Sequence, residues 1–298
     1  MATLRDIQRR IKAVSSTRQI TKAMKMVAAA KLRKVQDRMF DLRDYADKMR
    51  NVIARLASGA EQEQHPLLAQ RCCQNVDVLV MTSDRGMCGA FNTNIMKAAT
   101  KHIAEMETRE VPSVSGGQSQ VSITTVGKKA KDYYRHRGIK TRHSWTGLSG
   151  NVDYMAAKEI ADEVISRYIS GELDEVYLVY NEFKNMAQQT VRTIKLLPSE
   201  PIVEDGVEQI TSADFIFEPS EEDLLNALLP KNIEIQIFRA LLESTASEEA
   251  ARMTAMENAT KAAGDMIDTL TLKYNKARQA SITAELMDIV GGVEALKG

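Results

Sequence analysis

The fold is decided by the last stretch of the chain, Lys231 to Gly298, which reads KNIEIQIFRALLESTASEEAARMTAMENATKAAGDMIDTLTLKYNKARQASITAELMDIVGGVEALKG. It follows Pro230, contains no proline, and has glycine only at Gly264, Gly291, Gly292 and Gly298. Because nothing before Val290 forces a stop, the stretch predicts one helix of roughly sixty residues, about 90 Å long. A globule built from this chain cannot bury so long a helix, so the helix needs a partner helix or an enclosing sleeve.

The predicted helix carries a stripe of mostly small apolar residues. Its members are spaced alternately by three and four positions, with Lys273 as the one break: Met256, Ala259, Ala263, Met266, Leu270, Ala277, Ala280, Ala284 and Met287. This spacing is a heptad seam, and small side chains allow a second helix to approach closely. The sequence therefore predicts a coiled coil at this end of the chain.

The first fifty-odd residues show a matching seam. Its apolar members keep one register throughout: Leu4, Ile7, Ile11, Val14, Ala28, Leu32, Val35, Met39, Leu42, Ala46, Met49, Ile53 and Leu56. The positions between Val14 and Ala28 are held by Arg18, Thr21 and Lys25. Two explanations stay open for these polar residues: they set the register of helix pairing, or the helix faces a polar partner there.

Between the two helical stretches, strand and helix patterns alternate. The predicted strands are Val76–Met81, Val121–Val126, Thr141–Trp145, Glu175–Phe183, an antiparallel edge Gln189–Leu197, and Phe215–Phe217. The predicted helices are Phe91–Glu107, Lys128–Arg137 and Val152–Ile169, and Pro112–Gln120 is a predicted loop. This alternation is typical of a small doubly wound, Rossmann-like α/β domain.

The predicted fold class is therefore α/β: long N- and C-terminal helices form an antiparallel coiled coil, and the Rossmann-like domain is inserted between them. The predicted division is a first helix over 1–58, a linker over 59–75, the α/β domain over 76–218 and the last helix over 219–298.

The sequence contains only weak signals for a catalytic, cofactor or metal site. Ser83–Gly89 follows a strand and opens a helix, but it has neither the glycine spacing of a dinucleotide site nor the lysine of a P-loop, which favours a plain turn. Cys88 has no histidine near it in sequence, and the adjacent pair Cys72 and Cys73 lacks a second pair for zinc. We therefore predict no catalytic residue, cofactor or metal ligand in this chain.

Other partner classes can be weighed from charge and hydropathy. The basic first helix has no aromatic residue before Phe40, so a coiled-coil surface is favoured over a nucleic-acid arm. The longest strongly apolar run, Val76–Met81, is too short to span a membrane. The apolar seam starts at Leu4, which favours structure over a targeting segment and, with it, a bacterial source. The apolar tip Ile289–Leu296 suggests insertion into a collar.

Three motifs resemble the gamma subunit family of F-type ATP synthases. They are ITKAMKMVAAAKLRK at Ile20–Lys34, SDRGMCGAFN at Ser83–Asn92, and YNKARQASITAE at Tyr274–Glu285, continued by Asp288 and Gly292. The resemblance covers nearly the whole chain, and the last motif is highly specific. Val293 and Glu249 depart from the residues usual in the family, without disturbing the assignment.

The resemblance implies a central rotor stalk that couples rotation of a membrane ring to catalysis at alpha and beta subunits. The chain would be a non-catalytic subunit of the proton-transporting ATPase, with alpha, beta, epsilon and the ring of proton-carrying subunits as partners. It would lie peripherally on the cytoplasmic face of the bacterial inner membrane. By resemblance, Met24 and Lys25 would lie near a beta-subunit lever, and Arg278, Gln279, Thr283 and Glu285 would contact a beta-subunit catch region.

Two other functions remain as alternatives at this point. A nucleotide-binding Rossmann-like enzyme with helical oligomerisation arms would use Ser83–Gly89. A basic coiled-coil protein that binds nucleic acid would show an affinity that falls steeply with salt.

Overall fold

The computed structural model describes residues 3–59, 65–69, 71, 74–109, 119–148, 150, 152–186, 188–199 and 221–295. The helices are α1 (Leu4–Gly59), α2 (Phe91–Glu107), α3 (Lys128–His136), α4 (Tyr154–Ile169) and α5 (Glu221–Ala295). The strands are β1 (Asn75–Met81), β2 (Gln120–Val126), β3 (Ser144–Trp145), β4 (Glu175–Phe183) and β5 (Gln189–Leu197). The predicted fold class, long terminal helices around a central α/β sheet, is confirmed.

The five strands form one mixed sheet in the order β3-β2-β1-β4-β5. The pairs β2–β3, β1–β2 and β1–β4 are parallel, and β5 pairs antiparallel with β4. The antiparallel edge predicted for Gln189–Leu197 is therefore correct. The strand order reverses beside β1, which makes a topological switch point of the kind found in doubly wound folds.

Helices cover both faces of the sheet. On one face, the buried valines of β1 pack against α2 and α3, with Phe91, Ile95 and Tyr134 as large members of this core. On the other face, Leu79 and Met81 pack with α4 and with segments of α1 and α5. The sheet thus lies in the middle of three layers, which explains why β1 is apolar on both faces.

One charge interrupts the apolar interior of the sheet. Asp77 lies in the middle of β1 and is 1% exposed. Its carboxylate accepts hydrogen bonds from Ser122 (2.8 Å) and Thr124 (2.9 Å) and forms an ion pair of 3.0 Å with Arg167 of α4. Because a buried carboxylate is costly unless it is paired and hydrogen-bonded, this network ties α4 to one position on the sheet.

The start of the last helix corrects part of the prediction. The sequence predicts an uninterrupted helix only after Pro230, within a last segment over 219–298, whereas α5 begins at Glu221 and carries Pro230 inside it. A proline inside a helix removes one backbone hydrogen bond and costs about 3 kcal/mol or more. Leu225 and Leu229, which precede it, are almost fully buried in the core, and this burial offsets that cost.

The chain divides into two compact units, one of residues 1–29 with 252–298 and one of residues 30–251. The first, here called the terminal hairpin, consists of the first part of α1 and the last part of α5. In the second unit, Leu32 of α1 packs with Ala246 and Ala250 of α5, and Lys31 pairs with Glu249 at 3.9 Å. Further along α1, the Arg38 guanidinium lies over the ring of Phe238 of α5. Residue numbers thus rise on one helix as they fall on the other, so the two run antiparallel in this unit, as predicted.

The α1 seam is largely confirmed, because its members from Leu4 to Ile53 are buried or half-buried except Arg18, which is exposed. The α5 seam is confirmed at Met256 and Ala263, which are buried, and Ala259, Leu270 and Ala277 are half-buried. It is wrong at Ala280, Ala284 and Met287, which are exposed, and at Met266, which is 54% exposed. Ile267, the next residue, is half-buried instead. Small residues on several faces of α5 make the heptad register ambiguous in the sequence. The structure shows that Ile267, not Met266, faces inward at this point.

Other predicted bounds differ by a few residues. The third strand is shorter than predicted, and α4 begins at Tyr154 because the preceding Asp153 is extended and occupies the N-cap position. The predicted strand Phe215–Phe217, most of the loop Pro112–Gln120 and the pair Cys72–Cys73 lie outside the described residues. The division into 1–58, 59–75, 76–218 and 219–298 stays a prediction.

Candidate functional site

Ser83 and Asp84, at the start of the turn Ser83–Gly89 after β1, are hydrogen-bonded to neighbouring elements of the domain. The backbone N–H of Ser83 donates to Asn92 at 3.0 Å, and the side chain of Asn92 donates back to the Ser83 hydroxyl at 2.8 Å. Asp84 accepts the backbone N–H groups of Lys128 (2.9 Å) and Gly147 (3.0 Å). The turn therefore caps and connects neighbouring elements, in agreement with the structural role favoured by the sequence.

The crevice at the carboxyl ends of the strands is filled by α5. Leu241, Ser244 and Thr245 of α5 face the ends of β1 and β2 across a cavity of about 20 Å³. Ser247 donates a hydrogen bond of 3.2 Å to the backbone carbonyl of Asn181 in β4. Ligand pockets usually measure hundreds of Å³. The place where a doubly wound domain binds a nucleotide is thus occupied by the protein's own helix.

The first of the other side chains considered for catalysis or metal binding is Cys88, which lies in the part of the chain that the structure describes. Cys88 is 2% exposed and accepts a hydrogen bond of 3.2 Å from the Asn92 amide. Within the described ranges, no cluster of three or more His, Cys, Asp or Glu side chains is arranged to hold a metal ion. Tyr134, whose pKa burial raises to about 12, packs in the core beneath α3.

The terminal hairpin offers a surface of a different kind. Lys25 of α1 forms an ion pair of 2.7 Å with Glu257 of α5, and one turn away the hydroxyl of Thr260 donates to that of Thr21 at 2.7 Å. Further along, the Arg18 guanidinium lies 4.0 Å from the position of a Cβ at Gly264. Residue numbers rise on one helix as they fall on the other, so the hairpin is antiparallel.

These contacts show what two of the polar residues in the middle of the α1 seam, Thr21 and Lys25, do in the hairpin. Thr21 is 8% exposed and bonded across the hairpin, so it does set register. Lys25 is paired across the hairpin, but its side chain stays 37% exposed. A groove of about 850 Å³ opens beside them and is lined in part by Met26, Thr260 and Gly264. Its other lining residues carry charges of both signs: Arg18, Lys22, Lys25, Glu257, Lys261, Asp265 and Asp268.

The six interface residues named from the resemblance fall in two places. Met24 and Lys25 lie on α1 and are partly exposed, and Lys25 lines the groove. Arg278, Gln279, Thr283 and Glu285 are exposed on the last part of α5. Arg278 lies 21 residues beyond Glu257, the partner of Lys25, which is about 30 Å along a helix. The structure therefore does not bring the two groups together.

The end of α5 exposes a run of large apolar side chains. Ile282, Leu286, Met287, Ile289, Val290 and Val293 are between 47% and 67% exposed. A free helix end in water is normally polar, so a surface of this kind marks a contact site. The sequence had pointed to this tip.

A second exposed apolar group was missed. Ile20, Met26 and Val27 of α1 are 57–58% exposed. Ile20 and Val27 are one heptad apart and each precedes a seam residue, Thr21 and Ala28. The sequence signal for Ile20 and Val27 is an apolar residue directly before a seam position, repeated after seven residues.

No helix in the described part of the chain combines the length and apolar character needed to cross a bilayer.

Comparison with known proteins gives a consistent result. The sequence model of the family described as ATP synthase matches residues 3–296. The chain is 47% identical over 297 residues to the ATP synthase gamma chain of Pelotomaculum thermopropionicum and 49% identical over 297 residues to that of Desulfitobacterium hafniense. Both alignments cover 100% of each chain.

Solved structures show the same architecture. A chain of the central stalk and c-ring of Tetrahymena thermophila mitochondrial ATP synthase is similar with a TM-score of 0.58 and 26% identity, covering 80% of this chain and 99% of that one. A chain of Euglena gracilis mitochondrial ATP synthase, in an assembly of OSCP, F1 and c-ring, gives a TM-score of 0.66 at 24% identity, covering 98% and 94%. The second likeness bears on the fold alone.

Proposed function

We propose a mechanism for this chain from the premise that it belongs to the ATP synthase gamma chain family and is a central-stalk subunit of an F-type ATP synthase. In this proposal it acts as the rotor that couples rotation of a membrane ring to conformational change at catalytic sites on other subunits. The observation that carries the proposal is the exposed apolar end of α5, from Ile282 to Val293. An apolar sleeve formed by partner subunits accounts for it.

The coupling works through differential contact. The terminal hairpin has unlike faces: an apolar face with Ile20 and Val27, and a groove with charges of both signs. As the hairpin turns, each surrounding catalytic subunit meets a different face in succession. A partner's conformational equilibrium shifts only as far as its contacts with the shaft differ between conformations. Unlike faces are therefore what a rotor needs to drive the surrounding catalytic sites in sequence.

The partners follow from this arrangement. Alpha and beta subunits would surround the terminal hairpin, with Met24 and Lys25 near a beta-subunit lever and Arg278, Gln279, Thr283 and Glu285 at a beta-subunit catch region. The epsilon subunit and the ring of proton-carrying subunits would bind the unit of residues 30–251. The chain would then be a peripheral subunit on the cytoplasmic face of the bacterial inner membrane, and the high identity to bacterial relatives supports that side.

The nucleotide-binding alternative is not favoured. Leu241, Ser244 and Thr245 of α5 occupy the crevice that such an enzyme would use. In the adjoining turn, Ser83 and Asp84 are hydrogen-bonded to other parts of the domain. The nucleic-acid alternative is also not favoured, since Lys25 and Lys31 of the basic helix are engaged in ion pairs with α5.

Co-purification tests the proposal. The tagged chain is isolated from gently solubilised membranes of its native host, and the eluate is assayed for ATP hydrolysis and subunit composition. An ATPase with alpha and beta subunits in threefold excess over this chain is expected. A chain that purifies alone, or with partners that do not hydrolyse ATP, would overturn the assignment of partners.

A further inference from the structure

A surface outside the terminal hairpin carries concentrated positive charge. It consists of exposed cations on α3 and on the segment leading to β3, here called the α3 patch: Lys128, Lys129, Lys131, Arg135, Arg137, Lys140 and Arg142. The chain as a whole has equal numbers of acidic and basic residues. Local charge of this size on a neutral chain creates a field that attracts an acidic partner.

The carboxylates around the patch do not neutralise it. Asp132 pairs with Arg135 at 2.8 Å, and Glu172 lies 3.4 Å from Arg142. Asp84 is held by backbone N–H groups at the start of α3 and at Gly147. In the part of the chain that the structure describes, two of the seven cations therefore have a carboxylate within ion-pair distance. Among the described residues, the other five cations have no carboxylate within ion-pair distance: Lys128, Lys129, Lys131, Arg137 and Lys140.

The patch is held in a fixed shape by the domain beneath it. The apolar side of α3 is buried, with Ala130 and Tyr134 in the core. The Arg137 guanidinium lies 3.6 Å from the ring centre of Tyr133, which fixes its direction. Lys128, Lys131 and Arg135 follow each other at three and four residues and so share one side of the helix. A fixed stripe of cations suits an extended or helical acidic segment.

The kind of partner follows from what the patch lacks. Nucleic-acid surfaces normally add open aromatic faces for stacking, whereas Tyr134 is buried and Tyr133 is covered by Arg137. Helices that bind lipid surfaces insert an apolar face, whereas that face of α3 is already packed against the sheet. We propose that the α3 patch binds an acidic segment of another subunit of the same ATP synthase complex. This inference rests on the proposed function and adds a binding surface to it.

A zero-length carbodiimide cross-linker, which joins lysine amines to carboxylates in direct contact, tests the proposal on the purified complex. Peptide mass spectrometry is expected to find Lys128, Lys131 or Lys140 joined to Asp or Glu of another subunit. These links should be lost at high salt, because salt screens an electrostatic contact. Lys97 and Lys158, exposed on α2 and α4, are the matched controls and should give no salt-sensitive link to another subunit.

Two results would overturn the proposal. One is a complex in which the patch lysines form no link to another subunit and react with an acetylating reagent as fast as Lys97 and Lys158 do. The other is protection of the patch only when the complex is placed in vesicles of anionic lipid, which would assign the surface to the membrane. Either result leaves ATP hydrolysis and subunit composition unchanged, so it is distinct from failure of the proposed function.

Discussion

Gly127 connects β2 to α3 with a positive φ of 101°, and a Cβ built there would lie 2.1 Å from the backbone oxygen of Thr82. Both the conformation and the space exclude a side chain. We expect Gly127→Ala to reduce the free energy of unfolding by about 3 kcal/mol or more. Denaturant unfolding of the chain, followed by the fluorescence of its single tryptophan, Trp145, measures this.

The matched control is Gly138→Ala. Gly138 also has a positive φ, 70°, but nothing lies within 4 Å of the added Cβ. Only the conformational cost remains, about 1–2 kcal/mol. Equal losses in the two variants would show that the close approach to Thr82 is not what fixes this connection.

The buried pair of Asp77 and Arg167 gives a second prediction at this scale. Replacing Arg167 by Leu leaves the Asp77 carboxylate buried without its cation and is expected to cost about 3–5 kcal/mol of stability. The double variant D77L/R167L should recover much of that loss, because no unpaired charge remains. Denaturant unfolding measures the stability of both variants. If the double variant is no more stable than R167L, the loss in R167L does not come from the unpaired Asp77 carboxylate.

At the scale of single elements, Lys25 on α1 has two possible roles, contact with a partner subunit and an ion pair with Glu257, which substitutions can separate. We expect Lys25→Glu to lower the ratio of protons moved to ATP hydrolysed in membrane vesicles, because it changes the charge that α1 presents to a partner. Lys25 also pairs with Glu257 at 2.7 Å, so the single variant breaks an internal contact as well. The swap K25E/E257K restores that contact with its charges exchanged.

We expect the swap variant to remain poorly coupled, since its outward charge on α1 is still reversed. Proton uptake and ATP hydrolysis measured on the same vesicles give the ratio. If the swap restores normal coupling, Lys25 acts only by holding the two helices together. Its proposed place near a beta-subunit lever would then be wrong.

The end of α5 is the other element with a testable surface. Changing Leu286, Ile289 and Val293 to Asn should weaken the contact with an apolar sleeve and slow ATP synthesis by the complex. The same change should reduce aggregation of the isolated chain, as light scattering would show. M155Q removes an apolar side chain that is 64% exposed on α4 and is the control. Equal effects of the two variants on synthesis would count against a specific role for the tip.

Several elements could be predicted from sequence because their signals are local. The bounds of α2, β4 and β5 match the prediction, since clear apolar patterns end at turn residues or at Pro198. The continuation of α5 through Pro230 and the exposure of Met266 could not be predicted. Both depend on packing against distant parts of the chain, which overrides proline and heptad rules. The filled crevice depends on the same long-range packing, because Ser247 meets Asn181 only in the folded chain.

At the scale of the whole molecule, the two units have separate tasks in the proposal. The terminal hairpin presents unlike faces and an apolar end, which suits contact with catalytic subunits. The unit of residues 30–251 packs a segment of α5 against its sheet, where ten successive residues, Leu241 to Ala250, are buried. This burial suits the transfer of torque from the α/β domain to the helix, since a buried segment cannot slip without breaking core contacts.

Rotation of this chain inside an active ATPase tests the central claim most directly. A gold nanorod is attached at Lys158→Cys, an exposed position on α4, in a chain whose Cys72 and Cys73 are serine and whose Cys88 is buried. With the surrounding subunits fixed to glass, we expect the nanorod to rotate continuously in one direction when ATP is added and to stop when ATP is removed. A complex that hydrolyses ATP while the nanorod stays still would contradict it.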